Sequence, residues 1–415
     1  MRRQVLQVVE GRWEQVMEHV FSLAAYLPRR EFGVVVAGEL DRAHQETLSR
    51  LGVRWVGLEM GGGRGRVRQL QRLIQSLRAD LVHSHGVAAG EMAVRAAGEC
   101  LPVPVKVYTA HELSGFESGA FSLPALRRSA YRRMLASMDA VIALSRRDRQ
   151  ALGALAPGAV GQVEVVPPGV DTRRVRHLTD PGYKKAKLGL GLNSAVVGAV
   201  VDLHPRSGVE VLLDAAAIVN EELPNVEFAL VGDGPLEDHY RMMAHRLKLT
   251  GATVFLGRRH DLPEVLATLN VVVVASEAGG GVQTALQALY LEIPVVAVDT
   301  GGLKEVLEGV EGATLVPPGD ARAMAAAIRQ ALEQVPQGRG SSRRGLVTAT
   351  GLMLTEREML VSTETYDLDQ PGAAPEEKAP ESGSAGQRVA RQYSVGRMVR
   401  RTVHLYRRLL AAAGF

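Results

Sequence analysis

A glycine loop, Gly279-Gly280-Gly281, stands between an apolar run, Val271 to Ala275, and a helical pattern, Val282 to Leu289. A helix that starts behind such a loop leaves its first N–H groups free and points its positive dipole end at them, which suits an anion. A second apolar run, Pro294 to Val298, leads into Gly301-Gly302. Gly232-Asp233-Gly234-Pro235 closes a further run as a tight turn. The nearby groups that could hold an anion are Arg206, Ser207, Arg258 and Arg259. Gln287, in the helical pattern, can hydrogen-bond but carries no charge. Asp202 would repel an anion.

Three histidines form a second group. His83 and His85 alternate along an apparent strand and so share a face. Two imidazoles on one face could ligate a metal, but no third ligand is evident from spacing, and no metal and no cofactor are expected. His111 ends another apolar run. The run Gly61 to Arg66, GGGRGR, lacks the Gly-Lys-Ser/Thr ending of a P-loop and reads as a flexible loop.

The elements that must position these residues alternate. Short β-branched runs (Val5 to Val9, Gly33 to Ala37, Leu81 to His83, Val105 to Thr109, Ala140 to Leu144) are separated by helical patterns such as Val16 to Leu27 and Val67 to Leu77. That alternation predicts parallel α/β units. A second series begins at Val196 and continues through Phe228, Val254, Val271 and Val295. The Pro167-Pro168-Gly169 segment joins the two, which predicts two Rossmann-like domains with ligands at the carboxyl ends of their strands.

These stretches together resemble glycosyltransferase family 4, the retaining enzymes of GT-B fold. The resemblance rests on Val196 to Ala216, Phe228 to Tyr240, Val254 to Leu266, Asn270 to Gly302, the hinge-like Val163 to Val175, and the closing pattern Gln392 to Leu410. In the first half it rests on Asp80 to Gly86 and Val107 to Glu112. It implies an α/β GT-B fold, two Rossmann-like domains facing across a cleft. It also implies donor contacts at Arg206, Ser207, Gly232, Gly234, Arg258, Gly279, Gly280, Gly281, Val282 and Gln287, with His111 near the donor sugar.

The departures fall on the family's charged positions. The Arg and Lys that hold the donor diphosphate align with Asp202 and Ser207, and the two glutamates with Gly279 and Gln287. Glu277 lies two positions early in that register. Pro168 replaces a common Asn, and Glu14-Gln15 stand where the family has Gly-Gly. Positive groups stabilise a departing diphosphate directly, and one charge at close range is worth about 4 kcal/mol at an effective dielectric near 20. Losing these two cations and the two carboxylates predicts a catalytically impaired protein, a GT-B pseudoenzyme or binding scaffold. The alternative is an active retaining transferase moving a sugar from a nucleotide-sugar to a cell-envelope or small-molecule acceptor. Arg206, Arg258 or Arg259 turned into the cleft would favour the enzyme; closure by Asp202 or filling by Trp13 would favour the scaffold. Arg64 or Arg66 is a candidate contact to an acidic acceptor.

Composition bounds the rest. At 415 residues and 46% apolar content, two packed domains are expected. One cysteine, Cys100, excludes an intrachain disulfide. No apolar run approaches a spanning helix, so a cytoplasmic protein is expected, with peripheral membrane attachment as the alternative. The net charge of +4 is unevenly spread, with arginines gathered at 64–72, 127–133 and 388–408. These suit solvated helix faces, an anionic membrane surface or a protein partner; no motif for nucleic acid accompanies them. The expected boundaries are 1–165, a hinge at 166–176, 177–335, a disordered insertion at 336–390 and a closing helix at 391–415. The insertion is rich in Pro, Gly, Ser and charge.

Overall fold

The structure is a computed structural model. It describes residues 2–10, 14–111, 125–172, 180–205, 207–276, 281–334 and 384–415. The chain divides into two compact units. The first holds Met1–Gly169 and Val395–Phe415; the second holds the described residues of 170–334 and 384–394.

The first unit is built on a seven-stranded parallel sheet. Its strands are β1 (Arg3–Val9), β2 (Phe32–Gly38), β3 (Arg54–Gly57), β4 (Leu81–His85), β5 (Val105–Ala110), β6 (Ala140–Ala143) and β7 (Val163–Val165). Their order is β3-β2-β1-β4-β5-β6-β7. Central strands such as β4 and β6 are buried along their whole length, as a sheet covered on both faces requires.

One face of this sheet is closed by the last helix, Val395–Ala412. Its apolar stripe (Val395, Met398, Val399, Val403, Tyr406, Leu410) recurs at helical spacing and packs with Leu23, Leu27 and Phe32 and with Leu81, Val107 and Ile142 of the sheet. Two of its arginines are held by ion pairs in this unit, Arg407 on Glu31 (2.6 Å) and Arg408 on Glu164 (2.5 Å).

The second unit carries six parallel strands: β8 (Ala195–Val200), β9 (Val226–Val231), β10 (Thr253–Gly257), β11 (Val271–Val274), β12 (Val295–Val298) and β13 (Ala313–Val316). Their order is β10-β9-β8-β11-β12-β13. In both sheets the order reverses beside the first strand, between β1 and β4 and between β8 and β11. Ligands of doubly wound sheets gather outside the carboxyl ends at such a switch point.

Several expectations are corrected. The closing helix expected at 391–415 starts at Val395 and lies in the first unit; a separate helix, Ala385–Gln392, precedes it in the second unit, mostly where the insertion was expected. Gly386 approaches the Tyr290 carbonyl so closely that a Cβ there would lie 2.8 Å from it, so the shorter helix is an ordered part of the fold and not of an insertion. Val163–Val165, the first residues of the hinge-like stretch, form the edge strand of the first sheet, within the expected first domain. Residues 336–383 of the insertion expected at 336–390 lie outside the described residues.

Candidate functional site

In the second unit the carboxyl ends of β8, β9, β10 and β11 are tied together by backbone. Val201 donates to the Val231 carbonyl (2.9 Å), Leu203 to Asp233 (3.0 Å) and Gly232 to Gly257 (2.9 Å). These bonds draw the loop after β8 against the Gly232–Pro235 turn. A Cβ on Gly232 would stand 1.8 Å from the Val201 carbonyl oxygen, and one on Gly234 2.5 Å from that of Leu203. Gly232 also has φ +142°, which side chains rarely adopt.

Across the switch point, Gly208 touches the chain leaving β11. A Cβ there would lie 2.0 Å from the Ala275 carbonyl oxygen. Gly281, at φ +93°, precedes the helix Val282–Tyr290 and leans on Val274. The structure therefore brings Ser207, Gly232, Gly234, Arg258, Gly281 and Val282 to one end of one sheet. Arg206, Gly279, Gly280, Glu277 and Trp13 lie outside the described residues.

The side chains of this end have partners within the unit. Ser207 is buried, its hydroxyl 3.4 Å from that of Tyr240. Tyr240 donates to Glu210 (2.9 Å), and its phenol is pushed up to about 12 by burial. Arg258 forks onto Asp233, with Nε and Nη2 at 3.2 and 3.1 Å from Oδ1. Arg259 forks onto Asp261 (2.8 and 2.6 Å). Asp261 also accepts from Lys184, which bonds Glu264 at 2.6 Å. Burial opposes ionisation of Asp261, but the bonds from Arg259 and Lys184 outweigh it and hold the carboxyl at about 2. Asp202 is exposed at the end of β8.

Gln287 is 3% exposed, and its Oε1 has no hydrogen-bond partner. It sits on the helix behind the glycine loop, where a family carboxylate is expected. A buried amide oxygen without a donor costs about 1–3 kcal/mol, so this position is ready to accept a bond.

In the first unit His111 follows β5 and stacks among three further histidines. Its Nε2 lies 3.0 Å from Nδ1 of His85. His83 is bonded on both nitrogens, by Tyr406 (2.6 Å) and Thr109 (2.7 Å). His19, from the helix Glu14–Tyr26, sits edge-on to His111 with ring centroids 5.1 Å apart. Burial pushes all four well below the ordinary imidazole value, His19 to about 4. His19 was invisible to sequence reasoning: nothing in its helix marks it as a neighbour of β4 and β5. The Gly61–Arg66 run is also corrected. Arg64 begins a helix, Arg64–Leu77, and Arg66 is held by Glu59 at 2.9 Å.

Residues 194–334 match the family described as Glycosyl transferases group 1, and residues 16–174 match Glycosyltransferase Family 4. The chain belongs to the family 4 glycosyltransferases. Within the family it is 26% identical to EpsD of Bacillus subtilis over 286 residues, 68% of this chain and 75% of that one. It is 30% identical over 269 residues to D-inositol 3-phosphate glycosyltransferase of Mycolicibacterium vanbaalenii, 58% of this chain and 57% of that one. Among the curated relatives after EpsD, the chain spans between 54% and 66% of their length. HepE of Anabaena, solved in complex with UDP and glucose, has a TM-score of 0.73 at 19% identity, over 98% of this chain and 99% of that one. The fold of this family 4 chain is GT-B.

Proposed function

We propose that this family 4 protein binds a nucleotide or nucleotide-sugar through the backbone of its second unit and transfers sugar weakly or not at all. The observation that carries this reading is the pairing of Arg258 with Asp233 and of Arg259 with Asp261. Among the described residues, the two arginines that could replace the missing Arg and Lys, Arg258 and Arg259, are paired with carboxylates of their own unit. Leaving-group charge then meets, among the described residues, N–H groups and neutral side chains, a weaker stabiliser than fixed cations. Losing one transition-state contact commonly lowers kcat by about two to three orders of magnitude.

The glycine turns support the binding half. Gly232, Gly234 and Gly281 let main chain approach a diphosphate without side-chain obstruction. HepE is solved with UDP and with UDP-glucose, which makes a uridine nucleotide the first ligand to try. Among the described residues no helix is long and apolar enough to cross a membrane; we place the protein in the cytoplasm, with a membrane surface or a protein as further partners.

One observation favours the second reading, an active retaining transferase. Gln287 keeps a buried, unpartnered oxygen at the position of a family glutamate, and it could take a sugar hydroxyl. Thermal unfolding with UDP, GDP, ADP and their sugar conjugates tests binding, because a ligand of the native state raises stability. Donor hydrolysis and transfer, assayed on the same samples, separate the two readings.

A further inference from the structure

We propose that His19, His85 and His111 form a three-histidine site for a divalent transition-metal ion of the zinc class. The site lies wholly within the first unit and stands independently of the donor-side reading.

The three residues come from different elements: His19 from the helix Glu14–Tyr26, His85 from the end of β4, and His111 from the end of β5. One ring nitrogen from each lies within 4.8 Å of the others. Nδ1 of His85 and Nε2 of His111 face each other at 3.0 Å. Two ligands on a tetrahedral ion with metal–nitrogen bonds of about 2.0–2.1 Å are about 3.3 Å apart, so an ion fits after a shift of a few tenths of an ångström. Without metal, a single proton between the two rings fills the same place.

Unsatisfied buried atoms stand among these histidines and beside them. His19 is 4% exposed, and neither of its ring nitrogens has a hydrogen-bond partner. Nε2 of His85 is also buried and unpartnered. Gln7, the register partner of His83 in β1, is fully buried with neither amide atom bonded. Buried polar groups are nearly always bonded; of these five atoms, the two ring nitrogens of His19 belong to a residue of the three-histidine group and leave its ring open to a ligand.

His83, bonded at both nitrogens by Tyr406 and Thr109, is not a ligand; its ring packs 4.2 Å from that of His85 and limits how that ring turns. Three protein ligands leave a fourth tetrahedral position for water, the arrangement of open zinc sites. His111, the half-buried member, gives the ion its route in.

The test uses the full chain without a histidine tag, stripped with chelator and titrated with Co²⁺ and then Zn²⁺. The expected result is one equivalent of Co²⁺ with the intense visible bands of a tetrahedral site, displaced by Zn²⁺. His19 and His85 are core residues whose replacement endangers the fold, so His111→Ala carries the comparison, with circular dichroism to confirm folding. Its affinity is expected to fall by more than the roughly 10–100-fold that loss of a supporting residue brings. His245→Ala, on an exposed helix, is expected to leave the titration unchanged. Absence of tetrahedral bands, or a stoichiometry and affinity unaltered in folded His111→Ala, would overturn the site.

Discussion

The guanidinium of Arg258 rests on the carboxylate of Asp233, with Nη2 3.0 Å from Oδ2, at the turn that ends β9. Both side chains are partly exposed. Among the described residues, this cation at the donor end of the sheet is therefore already paired. Asp233→Asn is expected to release it and tighten UDP binding by up to about fivefold, the scale of an exposed ion pair worth about 0.2–1 kcal/mol. Isothermal titration of the variant against the parent checks this; an unchanged or weaker affinity would show that Arg258 does not face the nucleotide.

The glycine turns make a stability prediction. Gly232→Ala places a Cβ 1.8 Å from a backbone oxygen at a positive φ, and nothing there is a flexible side-chain end. It is expected to cost about 3 kcal/mol or more. Gly251→Ala meets nothing within 4 Å and is expected to change stability by less than about 0.5 kcal/mol. Urea unfolding of the two variants measures the contrast.

Asp261 makes a pH prediction. Its carboxyl is held at about 2 against an ordinary 3.8, despite burial, by bonds from Arg259 and Lys184. A carboxylate with a depressed folded value contributes stability that is complete above the unfolded value and is lost as pH falls through the folded one. The contribution is on the order of 1–2 kcal/mol after allowance for solvent. It should disappear between about pH 4 and pH 2. Asp261→Asn should be less stable than the parent at pH 6 and converge on it near pH 2, in urea midpoints taken across that range.

Much of the fold was legible because central parallel strands are apolar throughout: Val271–Val274 is four valines, and so short a β-branched run ahead of a glycine loop reads as a strand. The strands that were missed are edges. Arg54–Gly57 buries none of its residues and Val163–Val165 and Ala313–Val316 one each, so their short sequences carry polar residues and no sustained apolar run. The donor-side glycines were legible by motif, but the ion pairs were not. That Arg258 would meet Asp233 depends on the register of β9 with β10, which includes a bulge. The histidine cluster was half legible: two members alternate on one strand, while His19 and His111 come from distant segments that only the sheet order β1-β4-β5 assembles.

The last helix gives a fourth prediction. Tyr406 is fully buried, and its hydroxyl lies 2.6 Å from Nδ1 of His83. Tyr406→Phe leaves that nitrogen without its partner and is expected to cost about 1–3 kcal/mol. Tyr406→Ala also opens a cavity against Phe32 and is expected to cost about 3–5 kcal/mol. Calorimetric unfolding ranks the two.

The most direct test of the central claim is to give the purified protein UDP-glucose and related sugar nucleotides and to follow thermal unfolding and nucleotide release together. The account predicts a rise in unfolding temperature of several degrees with at least one nucleotide or sugar nucleotide. It also predicts release at least about a hundredfold below the roughly 10 s⁻¹ typical of enzymes. Release at that ordinary rate would contradict the claim of impaired transfer, and no shift with any of them at millimolar concentration would contradict the claim of binding.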